Sequence, residues 1–344
     1  MSVGIAILSG GESRRFQKHG SKSDKALEIV DGKRMIEWVM DTAYQVSNEV
    51  VLVVKDEEKV RSYSDIFSKE YPDLLIVADM NGFGHSPLVG LATGARSIED
   101  DLMLVLPCDT PYLKEDVLEL LVDRADDFDA TLPLWPDGKV ETLIAVYKRD
   151  HVLLCYPVLL SLGRWRPDDI VRASKRSYLV NVENMREFDR KLDSFFNINY
   201  PKDIKSKKRS VSIKGIMKED KILHPNKAST RDIREAIKHI SNRDADVRFI
   251  DSLQGSPFWI ALTASSLSDK GGEWLEYAGR SFEEESDYYV RNGANMLALH
   301  ALVDSLSFWQ RLNYVSDAGR VSEKVLHLRR ELGIDFEGKA HGLG

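Results

Sequence analysis

Short apolar runs alternate with longer amphipathic stretches over roughly the first half of the chain. The short runs are rich in β-branched residues and predict strands at residues 4–8, 49–54, 74–78, 102–106, 130–134 and 142–147. Helical spacing of apolar positions predicts helices at residues 35–45, 57–70, 87–97, 114–124 and 152–162. This alternation indicates βαβ units, so we expect an α/β, Rossmann-like fold: a mostly parallel sheet with helices on both faces.

The pattern changes after Pro201. Residues 205–210 read Lys-Ser-Lys-Lys-Arg-Ser, and such a run favours a solvated basic linker over a nucleic-acid contact. Beyond it, residues 211–344 predict a mainly α-helical domain, with short strands only at residues 211–216 and 247–250. We therefore divide the chain into residues 1–204, a linker at 205–210 and a helical domain at 211–344.

Two amphipathic helices dominate this second domain, at residues 273–291 and 294–312, and the turn Asn292-Gly293 predicts that they form a hairpin. A further helix is predicted at 321–332. We interpret His300 as a hydrogen-bonded helix residue. The aromatic side chains of this region favour a bundle core over a ligand site; they are Trp274, Tyr277, Phe282, Tyr288, Tyr289, Phe308, Trp309 and Tyr314.

No family is recognised for residues 211–344. Two roles stay open for this domain: homo-oligomerisation, and binding of a protein partner that handles a cofactor.

Composition narrows the classes of function. The chain has 344 residues, 43% of them hydrophobic, which is enough for two domains. Its net charge of −7 predicts neither nucleic acid nor an anionic membrane as a partner. The apolar runs are too short to cross a bilayer, and no secretory signal is recognisable. The two cysteines, Cys108 and Cys155, indicate a reducing compartment, so we expect a cytoplasmic protein.

Candidate chemistry begins in the loop after the first strand. Gly10 and Gly11 lack a Cβ, so their backbone N–H groups can closely approach a phosphate. Arg14, Arg15 and Lys25 offer cationic donors for a polyphosphate. The spacing matches neither the dinucleotide fingerprint nor a P-loop. An ordinary strand-exit turn is the alternative interpretation.

Two later loops also follow strands. Asp79, with glycines after it, suits a base and ribose, although Ser86-Pro87 could simply cap the next helix. Asp109 follows an apolar strand and suits a metal ion at the sheet edge, the alternative being a helix cap. We interpret Cys108 as a small buried hydrophobe because no base accompanies it.

A polar segment closes the first domain. Asn197 and Asn199 alternate around Ile198, so in an extended strand both side chains lie on one face. The turn at Pro201 then predicts a short helix. A polar turn at a domain edge is the alternative.

Taken in order, these segments resemble the molybdenum cofactor guanylyltransferases, within the nucleotidyltransferase superfamily. The resemblance covers about residues 1–205. It is carried by LSGGESRR (8–15), DKA (24–26), GKRMI (32–36), SPLVG (86–90), PCDTPY (107–112), ETLIAVY (141–147) and FFNINYPKDI (195–204).

The resemblance implies Mg²⁺-dependent transfer of GMP from GTP to the terminal phosphate of molybdopterin, with release of pyrophosphate. It implies that Arg15 and Lys25 bind the triphosphate, that Asp109 holds Mg²⁺ and contacts the nucleotide, and that Asn199 lies near the metal or acceptor. Arg15, Lys25 and Asp109 would then be the catalytic residues. The implied nucleotide-binding set is Leu8, Ser9, Gly10, Gly11, Glu12, Lys25, Asp79 and Asp109.

Several alternatives stay open at this level. Related enzymes use CTP in place of GTP, or guanylylate phospholactate or a cobinamide phosphate. A non-catalytic nucleotide sensor or scaffold is a further alternative, although it has no need of a metal-binding carboxylate.

This sequence also departs from the family pattern. The loop 16–24 is longer than the family spacing and carries basic residues, which fits either a lid over phosphates or a surface insertion. Three family positions carry unusual residues, namely Ser86, Thr142 and Tyr200.

Overall fold

The computed structural model describes residues 2–10, 24–205 and 219–334. Most of the predicted apolar runs form strands that are buried between layers of helices, whereas the strand at the sheet edge, residues 75–78, is only partly buried. The strands are β1 (Val3–Ser9), β2 (Ile29–Val30), β3 (Lys33–Arg34), β4 (Val50–Val54), β5 (Leu75–Ala78), β6 (Leu102–Pro107), β7 (Ala130–Leu134), β8 (Ala145–Lys148), β9 (Ser177–Asn181) and β10 (Lys221–Leu223).

Eight of these strands form one sheet in the order β10-β9-β7-β8-β6-β1-β4-β5, while β2 and β3 form a small separate hairpin. Strands β8 and β10 run antiparallel to their neighbours, and the remaining pairs are parallel. The expected mostly parallel sheet is confirmed.

The helices of the N-terminal part are α1 (Met35–Val46), α2 (Glu57–Phe67), α3 (Pro87–Ser97), α4 (Glu115–Asp123), α5 (Arg149–Ser161), α6 (Asp168–Arg172) and α7 (Pro201–Lys205). Alternate residues of β1 belong to two cores: Ile5 packs with α1, α2 and α4, whereas Ala6 packs with α3 and α5. Helices therefore cover both faces of the sheet, as predicted.

The C-terminal part contributes α8 (Thr230–Asn242), α9 (Val247–Ser252), α10 (Pro257–Ser266), α11 (Gly272–Arg291), α12 (Asn295–Arg311) and α13 (Val315–Glu331). Its apolar side chains, among them Phe258 and Phe282, join the same core as Ala6. Leu223 of β10 pairs with Ser177 of β9. The C-terminal residues thus extend the sheet and thicken the layer on one of its faces.

The division at residues 205–210 stays a prediction, because residues 206–218 lie outside the described residues. The strand predicted at 211–216 falls in the same gap. The strand predicted at 247–250 is wrong: these residues belong to α9, where Asp246 accepts a hydrogen bond from the Phe249 N–H (2.8 Å) and caps the helix.

The predicted helical hairpin is confirmed as α11 and α12, and Gly293 has the positive φ of +67° that the turn between them needs. His300 is hydrogen-bonded as expected, with Nδ1 at 2.6 Å from Asp168 Oδ2. Most of the aromatic residues form core as predicted, whereas Tyr314 is 44% exposed. None of the helices in the described ranges is long and apolar enough to span a bilayer.

Candidate active site

A cavity of about 910 Å³ opens where the carboxyl ends of β1, β5 and β6 meet. The parallel register sets these ends level: Leu8 pairs with Pro107, and Ser9 pairs with Val54 of β4, which in turn pairs with Ala78 of β5. Residues that follow these strands must therefore gather at one sheet edge. The wall is completed by residues 24–26, 85–87 at the start of α3, and 140–144, together with Asn197 and Asn199.

Three predicted site residues converge in this cavity. The Lys25 ammonium donates to Asp109 Oδ2 (2.6 Å) and to Asn199 Oδ1 (3.1 Å). The Lys25 and Asp109 side chains are only 12% and 21% exposed, so water screens their attraction weakly. Asp109 does not cap a helix: α4 begins only at Glu115, and its N-cap residue is Lys114.

Local structure holds each member of this trio. Asn199 is placed by Asp203, whose Oδ2 accepts the backbone N–H groups of Asn199 (2.9 Å) and Tyr200 (2.7 Å). The Ile198 N–H donates to the Asp109 carbonyl (2.9 Å), which ties the two segments together. Ile198 is fully buried, while Asn197 and Asn199 both line the cavity, as their predicted shared face requires.

Lys25 lies in a short 3₁₀ helix, Lys25–Leu27, whose N-cap is Asp24. Asp24 Oδ2 accepts a hydrogen bond from the buried Tyr63 hydroxyl (2.6 Å) and pairs with Lys59. Burial raises the pKa of Tyr63, so its hydroxyl stays protonated and can donate. Helix α2 thus fixes the residue that precedes Lys25.

Asp79 lines the cavity beside the first loop and is 6% exposed. Its Oδ2 lies 3.3 Å from His85 Nδ1, and within the described residues its Oδ1 has no hydrogen-bond partner. Burial raises the pKa of Asp79, and the hydrogen bond from His85 partly offsets this. A Cβ at Gly10 would lie 2.9 Å from Asp79 Oδ2, which is why a glycine suits this position.

Among the polar residues of the cavity wall, sequence reasoning gave no role to His85 and Glu141. His85 had only one signal, its place in a glycine-containing loop after a strand. Glu141 lay in a family motif without a role; its Oε1 accepts a hydrogen bond from the Trp135 indole (2.7 Å), and burial raises the pKa of its carboxyl. Ser86 does cap α3, by accepting a hydrogen bond from the Val89 N–H (3.2 Å).

Cys108 is partly buried, lines the cavity and packs against the core. Burial, reinforced by the charge of Asp109, raises the pKa of the Cys108 thiol to about 12. The thiol is therefore neutral near pH 7, which agrees with its interpretation as a small hydrophobe and not a nucleophile.

Leu8, Ser9 and Gly10 line the cavity. Gly11, Glu12, Arg15 and the loop 16–23 lie outside the described residues. The ligand-binding role of each residue stays a prediction.

The oxygen atoms that surround the Lys25 ammonium are suitable ligands for Mg²⁺. A carboxylate and an amide oxygen already converge on one cationic group, and such hard oxygen ligands are those Mg²⁺ prefers. The described residues contain no group of three or more His, Cys, Asp and Glu that could hold a metal. A site with one or two protein ligands, completed by substrate phosphates, is typical of Mg²⁺.

Comparison with known proteins identifies the family. Residues 5–175 match the model of the MobA-like NTP transferase domain. The "Probable molybdenum cofactor guanylyltransferase" of Methanosarcina acetivorans is 30% identical over 202 residues, which cover 58% of this chain and 87% of that protein. The chain belongs to the MobA-like NTP transferase family. It is accordingly a nucleotidyltransferase.

Two further proteins are similar to this chain. The molybdenum cofactor guanylyltransferase of Desulfosudis oleivorans is 28% identical over 212 residues, covering 60% of this chain and 94% of that protein. Among solved structures, molybdopterin-guanine dinucleotide biosynthesis protein A from Archaeoglobus fulgidus is 26% identical with a TM-score of 0.49, covering 58% of this chain and 94% of that one. Helices α8 to α13 lie beyond the residues matched by the family model.

Proposed function

We propose that this protein transfers GMP from GTP to the terminal phosphate of molybdopterin and releases pyrophosphate. The carrying observation is the Lys25 ammonium bridging Asp109 and Asn199 at the carboxyl edge of the sheet. Family membership supports nucleotide transfer, and the names of the relatives support the choice of base and acceptor.

The reaction brings two anions together, so its site must supply positive charge. An acceptor phosphate is already ionised near pH 7, and its attack on the α-phosphate of GTP needs no general base. A lysine ammonium has three N–H donors. Within the part of the chain that the structure describes, two of those of Lys25 are accepted by Asp109 and Asn199, which leaves a third for a phosphate oxygen of the substrate. Lys25 would thereby stabilise charge that grows on the α-phosphate or the leaving pyrophosphate.

Asp109, helped by Asn199, would hold Mg²⁺. Bound there, the ion would neutralise charge on the phosphates of GTP. The backbone N–H of Gly10 would approach the phosphates closely, and Asp79 would accept hydrogen bonds from the nucleoside. The neutral Cys108 thiol gives no reason to invoke a covalent intermediate.

Product analysis tests this proposal. The protein is incubated with Mg²⁺, mixed nucleoside triphosphates, and molybdopterin, phospholactate or cobinamide phosphate, and the products are identified by mass spectrometry. We expect the GMP adduct of molybdopterin and an equal amount of pyrophosphate. Asp109→Asn should abolish this product, whereas Asp317→Asn, at a surface ion pair with Arg320, should not.

Each alternative predicts a different result. A CMP adduct would show that the nucleotide substrate is CTP and not GTP. An adduct of phospholactate or cobinamide phosphate would show that the acceptor is not molybdopterin. Nucleotide binding without pyrophosphate release, equal in the Asp109→Asn variant, would indicate a sensor or scaffold.

A further inference from the structure

A tight turn leads from β7 into the cavity wall. The Gly138 N–H donates to the Trp135 carbonyl (2.8 Å), and the Trp135 N–H donates to the Lys139 carbonyl (2.8 Å). Gly138 has a φ of +85°, a conformation that few residues other than glycine adopt. Residues 140–144, which line the cavity, follow at once. The position of the turn therefore sets where this wall begins.

The turn rests on the first residues of α12. The Met296 N–H donates to the Gly138 carbonyl (3.0 Å). A Cβ at Gly138 would lie 2.7 Å from both the Cβ and the backbone nitrogen of Asn295, far inside van der Waals contact. The C-terminal helices thus touch the backbone that carries the cavity wall.

Hydrogen bonds connect the turn to the wall itself. The Trp135 indole donates to Glu141, and the buried Tyr147 hydroxyl donates to the Thr142 carbonyl (2.7 Å). Glu141 and Thr142 both line the cavity. Because the indole is part of the turn, a displaced turn would take the bonding partner of Glu141 with it.

Helix α12 is itself held against the N-terminal part. Its Asp304 accepts hydrogen bonds from Arg164 (2.6 Å) and Arg172 (2.8 Å), and its His300 bonds to Asp168. Arg172 is fully buried and Asp168 is 5% exposed, so moving α12 would expose or unpair buried charges. The helix therefore offers the turn a rigid support.

We propose that Asn295 and Met296 are positioning residues of the active site, which set the place of wall residues 140–144 through their contact with Gly138. The C-terminal helices would then take part in substrate binding although they lie beyond the family-matched residues. The kinetic part of this inference rests on the proposed function.

The test compares two glycines of positive φ. Gly138→Asn adds a side chain against Asn295, whereas at Gly333, with a φ of +64°, a Cβ meets nothing within 4 Å. Asparagine tolerates the left-handed region, so Gly333→Asn is a matched control for backbone strain. Both full-length variants are labelled with 5-fluorotryptophan, and the Trp135 resonance is assigned by a Trp135→Phe variant.

In Gly138→Asn we expect a displaced Trp135 resonance and a KM raised about tenfold for at least one substrate. Gly333→Asn should leave both at wild-type values. Mere loss of folded protein would lower only the apparent kcat, so the change in KM separates positioning from destabilisation. An unmoved resonance would show that the turn does not depend on its contact with α12. A displaced resonance with unchanged KM and kcat would overturn the positioning role.

Two further arms keep the test decisive. If Gly138→Asn does not fold, Asn295→Gly removes the side chain that supports the turn and should displace the same resonance; unchanged resonance and KM would reject the inference. If the wild type does not guanylylate molybdopterin, the proposed function fails. The inference is then judged by the Trp135 resonance, which needs no substrate, and a resonance in Gly138→Asn equal to that in Gly333→Asn would refute it.

Discussion

Arg172 and Glu285 form a bidentate ion pair across the interface between α6 and α11. Arg172 Nε and Nη2 donate to the two carboxylate oxygens of Glu285 at 2.8 and 2.7 Å, and neither side chain is more than 1% exposed. Arg172 Nη1 donates to Asp169 and Asp304. Burial raises the pKa of Glu285, and the positive charge of Arg172 opposes that rise. The carboxylate therefore depends on this arginine.

Arg172→Met should lower the free energy of unfolding by about 3–5 kcal/mol, because it leaves Glu285 buried without its partner. Urea denaturation measures the change. As a control, Arg280→Met breaks the exposed pair with Glu276 and should cost less than about 1 kcal/mol. A loss in Arg172→Met as small as in the control would show that Glu285 finds another partner.

Deleting residues 211–344 should prevent the remainder from folding as a stable unit. The deletion removes β10 from the sheet edge and the Trp259 indole that donates to the Ala173 carbonyl (3.1 Å), and it exposes the shared core. Circular dichroism on heating should show no cooperative transition for residues 1–210. Co-expression with 211–344 should restore it. A soluble fragment 1–210 with wild-type melting would contradict this expectation and favour two independent domains.

Lys25→Met should reduce kcat/KM for nucleotide transfer by about 100-fold or more, since the charge opposite the reacting phosphates is lost. Lys324→Met, at a more exposed ion pair with Asp287, is the matched control and should leave kcat/KM unchanged. Steady-state kinetics with Mg-GTP compares the two. A Lys25→Met enzyme with wild-type kcat/KM would remove Lys25 from the catalytic set.

Asp79→Asn should stabilise the fold near pH 7 while weakening nucleotide binding. Because burial raises the pKa of Asp79 above its ordinary 3.8, the native state holds this proton more tightly than the unfolded state. The stability that protonated Asp79 contributes is therefore complete below pH 3.8 and is lost as pH rises through the raised pKa of the native state. Asparagine has no charge to bury.

Urea denaturation of wild type and Asp79→Asn across pH checks this. The variant's advantage should be absent below pH 3.8 and grow as pH rises. The nearly isosteric asparagine keeps the packing the same, so the comparison reports the charge. A stability difference independent of pH would mean that burial does not raise the pKa of Asp79.

Strands β1, β4 and β6 were predictable because a strand buried on both faces is a continuous apolar run, as in residues 4–8. Strand β9 was missed because Ser177–Asn181 holds only a short apolar stretch and is identified by its pairing with β7. The segment 247–250 looked like a strand because its apolar residues lie within a short stretch of the chain, with no helical spacing beyond it. Its N-cap, Asp246, and packing made it a helix.

Order along the chain was enough to place Asp79 and Asp109 at one sheet edge, since parallel strands end together and their following residues meet there. Lys25 and Asn199 were candidates from their own residue types, and motif likeness assigned them to the same site. The partners of these residues follow from contacts between distant parts of the chain. Arg172 and Glu285 are 113 positions apart, and Gly138 meets Asn295 only because the start of α12 packs against the turn that follows β7. Local patterns specify elements and their ends, whereas such contacts depend on how the helices pack over the sheet.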